Sequence, residues 1–83
     1  MEASYYVYAI HSESRNYIYV GISNDVERRL KEHNSGYNKT TKPYRPYTVI
    51  YKEELRSRKE ARIREKFLKG GSGRKFLKSL IVG

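Results

Sequence analysis

The chain has no cysteine. Disulfides and thiolate metal sites are therefore excluded as staples, and the fold rests on packing and hydrogen bonding. No apolar run approaches the roughly 20 residues that a membrane-spanning helix requires. The opening residues, Met1-Glu2-Ala3-Ser4-Tyr5, have neither the basic flank nor the apolar stretch of a secretory signal. Length is short as well. The 83 residues allow a single domain, residues 1–83, with a modest core and no second cofactor-binding lobe. A soluble, cytoplasmic protein is expected. Acidic residues are scarce in one half of the chain. Residues 1–37 hold four Lys/Arg against five Asp/Glu, whereas residues 38–83 hold fourteen against four. The net charge of +9 therefore sits in the C-terminal half. Such a one-sided field attracts polyanions, nucleic acid first. The plainer alternative is a solvated basic face that keeps the protein soluble. An acidic membrane surface would lack an apolar anchor here.

Tyrosine is what the chain has in quantity. Tyr5 to Ile10 is aromatic and β-branched, which predicts a strand. Alternation puts Tyr6, Tyr8 and Ile10 on one face and Tyr5, Val7 and Ala9 on the other. The polar stretch His11 to Asn16 is turn-like. Tyr17 to Ile22 predicts a second strand, antiparallel to the first, with Tyr17 and Tyr19 opposite Ile18 and Val20. Both faces are apolar enough to need cover. Asn24 is the expected cap of a helix running to about His33, with Glu27 completing a capping box. Asn34-Ser35-Gly36 ends it. Residues 37–46 read as a basic, proline-containing loop. Tyr47 to Lys52 predicts a third strand, with Val49 and Tyr51 opposite Thr48 and Ile50. Ser57-Arg58-Lys59-Glu60 is a second capping box, opening a helix to about Lys69. After Gly70-Gly71, Ser72 can cap a last short helix. The order β-β-α-β-α-α predicts an α+β fold: a three-stranded antiparallel sheet flanked by about three helices.

Helical phase selects residues with chemistry. At about 100° per residue, Val26 and Leu30 form the apolar stripe of the first helix. His33 falls on that stripe and Arg29 borders it. Arg29 and His33, four apart, are neighbours on one face. The ordinary readings are a snorkelling arginine and a partly buried histidine at a helix end. In the second helix Glu60 has a capping task, whereas Glu65 lies beside the apolar face without one. Its ordinary reading is a surface ion pair, worth about 0–1 kcal/mol. Its functional reading is an oxygen ligand for a hard divalent cation. The tyrosines can be core packing with solvent-facing hydroxyls.

Tyr6-Val7-Tyr8 and Tyr19-Val20-Gly21, at hairpin spacing, resemble the two strand motifs that name the GIY-YIG nuclease superfamily. The run Gly21 to Gly36 is similar to the segment after the second motif in small bacterial members. Glu60-Ala61 and Arg64-Glu65-Lys66 match their downstream helix, and the resemblance covers nearly the whole chain. It departs from the family name at Tyr6-Val7, and Ile22 stands where excision-repair members have lysine.

The resemblance implies a metal-dependent endonuclease with catalytic residues Tyr8, Tyr19, Arg29, His33 and Glu65, expected to converge on one concave face of the sheet. Glu65 would hold one Mg²⁺ or Mn²⁺. Arg29 would stabilise phosphate charge, Tyr19 would position the phosphate or the water, and either Tyr8 or His33 would serve as base. DNA is the implied partner, with RNA left open, as is a protein partner that supplies targeting. Weak sequence preference is expected. Candidate backbone contacts are Lys39, Lys42, Arg45, Arg58, Arg62, Lys69, Arg74 and Lys75, which position rather than specify. Two alternatives remain: a non-catalytic nucleic-acid-binding module, with Gly70-Gly71-Ser72-Gly73 as a GxxG backbone clamp, and a partner-recruiting domain of the same fold.

Overall fold

The computed structural model describes residues 4–81. Strand β1 (Tyr5–Ser12) and strand β2 (Ile18–Ser23) form the expected hairpin. Helix α1 (Val26–Ser35) follows, then a 3₁₀ turn (Lys42–Tyr44) within the basic loop, then β3 (Tyr47–Leu55). Helices α2 (Arg58–Lys69) and α3 (Gly71–Ser79) complete the order. The sheet is antiparallel throughout, in the order β2-β1-β3, so β1 is central and β2 is an edge.

Both faces of the sheet are covered. One carries Tyr8, Ile10 and Tyr47, packed with Val26 and Leu30 of α1. The other carries Val7, Ala9 and Val20, packed with Ala61 and Leu68 of α2 and Leu77 of α3. Burying apolar side chains on both sides of one small sheet is the main stabilising contribution available to a chain without disulfides.

Four local details differ from the sequence pattern, each for a physical reason. The cap of α1 is Asp25, not Asn24. Its carboxylate accepts from the Arg28 N–H at 3.1 Å. An anionic cap suits the positive end of the helix, and this start drops Val26 straight into the core. β3 runs three residues past Lys52, because Glu53 is held by Arg64 of α2 at 2.8 Å and Leu55 packs in the core. The strict alternation expected in β3 is broken between Val49 and Tyr51. Ala9 pairs with Tyr51 and Ile10 with Val49, leaving Ile50 as an extra residue. Ile50 and Tyr51 therefore share the α2–α3 side, as a β-bulge requires. Helix α3 starts at Gly71 with Gly70 as its cap, not at Ser72. Gly73 is buried within α3, and a Cβ there would lie 2.4 Å from the Leu68 Cα. These glycines let two helices meet at a tight corner. Three of the four residues Gly70-Gly71-Ser72-Gly73 are helical, so the segment does not form the open GxxG loop.

Candidate active site

Tyr8 lies at the centre of the site. It stands on the central strand, pairs across to Gly21 of β2, and is almost wholly buried. The glycine is essential to this arrangement. A Cβ at Gly21 would lie 2.9 Å from the Tyr8 hydroxyl oxygen and 3.0 Å from a Tyr19 ring carbon. The last residue of the second tyrosine motif therefore leaves the space that the last tyrosine of the first motif fills.

His33 reaches the same point from α1. It is fully buried, and both ring nitrogens are occupied. Nε2 is 3.0 Å from the Tyr8 hydroxyl, and Nδ1 is 2.8 Å from the Thr41 hydroxyl. Thr41 donates its own proton to the Asn38 carbonyl at 3.4 Å. On that bond we assign its oxygen as the acceptor from His33 Nδ1–H. That leaves Nε2 bare, so the Tyr8 O–H donates to it. The result is a directed chain, Tyr8 to His33 to Thr41. Tyr19 flanks it, with its ring 4.8 Å from that of His33 and 6.3 Å from that of Tyr8.

Arg29, one turn before His33 on the same helix, acts electrostatically on the Tyr8 phenol. It is also paired with Glu32, and its side chain is 27 % exposed. It is the most accessible cation of the cluster. Burial pushes the Tyr8 phenol above its ordinary pKa, with Arg29 opposing that rise. Burial, with Arg29 adding to it, holds His33 below the ordinary imidazole range. At neutral pH the pair is thus a protonated phenol and a neutral imidazole. Arg29 stays charged: burial works against its proton, but Tyr8 and Glu32 more than offset that.

Glu65 stands apart from these four, contrary to the expectation that all five converge on one face, because α2 packs on the side of the sheet away from Tyr8 and α1. Helix α2 covers the opposite face of the sheet, and Glu65 accepts from Lys69 Nζ at 3.0 Å. Arg64 leans from the same helix toward β3, where it binds Glu53. Glu65, one residue on, pairs instead with Lys69 one turn later. Lys69 in turn lines a cavity together with Tyr17 and Tyr19. Among the described residues, no three His, Cys, Asp or Glu side chains gather into a metal cluster. A hard divalent cation would find one protein carboxylate here, that of Glu65. Glu65 would supply one carboxylate, and water and substrate phosphate the remaining oxygens, as Mg²⁺ sites commonly have it.

Glu60 takes the structural part expected of it, with one shift. Ser57 Oγ accepts from its N–H at 3.1 Å, while its carboxylate accepts from the Arg56 N–H rather than that of Ser57. The eight candidate backbone-contacting cations are all exposed. Lys39, Lys42 and Arg45 lie in the loop after α1; Arg58, Arg62, Lys69, Arg74 and Lys75 lie on α2 and α3. Sequence reasoning missed Thr41 and the packing role of Gly21. Thr41 carries no signal of its own. It is a polar residue in a basic loop, and only the folded chain reveals that it is buried, with its carbonyl bound by the Tyr47 hydroxyl at 2.8 Å.

Comparison with known proteins bears on this geometry. The GIY-YIG catalytic domain model matches residues 4–78. The UPF0213 protein of Staphylococcus haemolyticus is 37 % identical over 79 residues, covering 94 % of this chain and 95 % of its own. That of Staphylococcus saprophyticus is 34 % identical over 80 residues, covering 95 % and 96 %. The solution NMR structure of the UPF0213 protein from Bacillus halodurans superposes with a TM-score of 0.55 at 30 % identity, covering 93 % of this chain and 84 % of that one. With its two tyrosine motifs joined over a glycine and a match along nearly its whole length, the chain belongs to the GIY-YIG family, a family of nuclease-type domains, and is related to the bacterial UPF0213 proteins.

Proposed function

We propose that this domain hydrolyses DNA phosphodiester bonds, with a divalent metal and little sequence preference. The observation that carries the reading is the buried contact of His33 with Tyr8 on one side and Thr41 on the other, with Arg29 one turn away on the same helix. Arg29 offers a planar fork of donors to a phosphate and counters charge that grows on it in the transition state. Tyr8 and Tyr19 orient the attacking water beside that phosphate. As the water attacks, its proton passes to the Tyr8 oxygen while the phenolic proton moves to His33 Nε2. His33 can take it because burial and Arg29 keep its ring neutral. The imidazolium that forms is already oriented by Thr41, so no ring rotation is needed. The metal, when held by Glu65, supplies a Lewis acid for the phosphate oxygens. Weak sequence preference follows from contacts that are basic, exposed and suited to phosphates rather than base edges.

The placement of Glu65 on a helix across the sheet from Tyr8, already paired with Lys69, favours a second reading. In it the domain binds nucleic acid without cutting it. One experiment separates the two. Single-stranded, duplex and branched DNA are incubated with the protein in Mg²⁺, in Mn²⁺ and in EDTA. Strand breaks with 5′-phosphate ends, seen with metal and lost in EDTA, are expected. Binding without breaks on every substrate and with either metal would overturn the catalytic reading.

A further inference from the structure

β2 is an edge strand, and its outer side borders a cavity of about 340 Å³. The cavity opens between this edge and the helices of the opposite layer. Its floor is apolar, made by the core residues Val20, Leu68 and Leu77. Tyr17 and Tyr19 border it from the edge strand, with their rings packed toward the α1 face of the sheet. Tyr17 is held in place by stacking on Tyr44, with ring centroids 4.5 Å apart and planes inclined by 22°. The cavity rim carries Lys69, Arg74 and Lys78; Lys69 is paired with Glu65 at 3.0 Å, while no carboxylate of the lining stands against Arg74 or Lys78. The Asn16 amide, at the hairpin end, adds a donor and an acceptor.

This combination is selective. An apolar floor suits the face of a planar heterocycle, and the unpaired cations Arg74 and Lys78 at the rim suit a phosphate. The volume is at the small end of ligand pockets. It admits one nucleotide but not a base pair stacked between its neighbours. Lys69 connects the rim to Glu65 at 3.0 Å, and Tyr19 connects the bordering edge strand to Tyr8 and His33. An occupant here would therefore lie next to both parts of the proposed catalytic surface.

We propose that this cavity holds one unstacked nucleotide of the substrate strand, its base on the apolar floor of Val20, Leu68 and Leu77 and its phosphate on Arg74 and Lys78. The inference rests on the reading of the domain as one that acts on nucleic acid. It gives that reading a substrate class: single-stranded DNA, or DNA with a displaced or extruded base. Diffuse electrostatics predicts the opposite order. Duplex DNA has the higher charge density and releases about 0.9 counterions per contact against about 0.7 for a single strand. A preference for single strands must then come from a site that takes an unstacked base.

The test is equilibrium binding in EDTA, so that no strand is cut. The probe is a ten-nucleotide strand with a central 2-aminopurine, alone or annealed to its complement, at equal salt. The single strand is expected to bind at least tenfold more tightly than the duplex. Replacing the exposed pair Arg74→Ala and Lys78→Ala should weaken the single strand at least tenfold and the duplex threefold or less. The control pair Arg58→Ala and Arg62→Ala, also exposed, should weaken both alike. Equal or tighter duplex binding, no measurable binding, or an Arg74/Lys78 effect no larger than the control would overturn the proposal. The two readings fail separately. Cleavage in Mg²⁺ without strand preference removes the cavity and leaves the nuclease. Strand preference in EDTA without cleavage in any metal does the reverse.

Discussion

Replacing Thr41 by valine is the perturbation that best isolates the buried chain. Valine has nearly the shape of threonine but no hydroxyl. In the parent, the Thr41 oxygen is the partner of His33 Nδ1 at 2.8 Å, and all the groups concerned are buried. The variant leaves Nδ1 without a partner in either tautomer. An unsatisfied buried polar group costs about 1–3 kcal/mol. For a domain of this length, each kcal/mol shifts Tm by roughly 4–8 °C, so a fall of about 5–20 °C is expected by calorimetry. Thr41→Ser keeps the hydroxyl and removes one methyl group, at about 1 kcal/mol. A stability loss alone would not separate this account from a general packing defect. The second readout is therefore the imidazole tautomer, from long-range ¹H–¹⁵N correlations of His33. Parent and Thr41→Ser should carry the proton on Nδ1, whereas Thr41→Val should shift it toward Nε2. Cleavage should fall with the tautomer, because Tyr8 would then face a donor instead of an acceptor. If Thr41→Val keeps both the parental Tm and the parental tautomer, the directed chain is wrong.

Three further outcomes follow from the same geometry. Gly21→Ala places a methyl group 2.9 Å from the Tyr8 oxygen. Overpacking of this kind costs about 1–3 kcal/mol, measurable as a lower urea midpoint, and should displace the phenol enough to depress cleavage. Stability should decline as pH drops below about 6.5, the ordinary imidazole pKa, because the unfolded chain gains a proton on His33 that the folded chain refuses. The contribution is present above that pH and is lost toward the folded pKa. Its slope is at most about 1.4 kcal/mol per pH unit. Denaturation of His33→Gln across pH 5–7, compared with the parent, should lack this slope. Arg29→Lys keeps the charge but loses the fork of donors and one of the contacts near Tyr8. A rate loss of about 10²–10³ is expected in single-turnover cleavage, as for loss of one preorganised transition-state donor, with little change in DNA affinity.

The elements were legible because they are written locally. Tyr5 to Ile10 alternates cleanly, Ser57 and Glu60 mark a helix start, and Gly36 takes the left-handed conformation, φ 84°, expected of a terminating glycine. His33 and Arg29 could be placed toward the sheet from helical phase alone. What was not legible depends on partners far along the chain. Glu53 looked like the end of a strand, but Arg64, eleven residues later, neutralises it and lets β3 continue. The bulge at Ile50 leaves no local mark, since Val49-Ile50-Tyr51 reads as plain alternation. Asn24 and Asp25 are both good caps, and the choice was made by how Val26 enters the core. Thr41 was hidden for the same reason. Its role exists only because the loop after α1 folds back over His33. The separation of Glu65 from Tyr8 by the sheet is likewise a matter of layers, which helical phase within α2 cannot reveal.

The central claim joins two groups on opposite layers into one catalytic surface. The most direct test compares Glu65→Gln with Glu60→Gln in single-turnover cleavage of labelled DNA in Mg²⁺ and in Mn²⁺. Glutamine is nearly isosteric with glutamate but a poor ligand for a hard cation. Glu60 serves the start of α2, where an amide can still accept from the Arg56 N–H. Glu60→Gln should therefore cut at close to the parental rate. Glu65→Gln should lose at least about a hundredfold with either metal, a loss of the size seen when a transition-state contact is removed, while keeping the parental Tm and DNA affinity. Parental rates for Glu65→Gln would contradict the account and leave the cluster of Tyr8, Tyr19, Arg29 and His33 without its metal-binding partner.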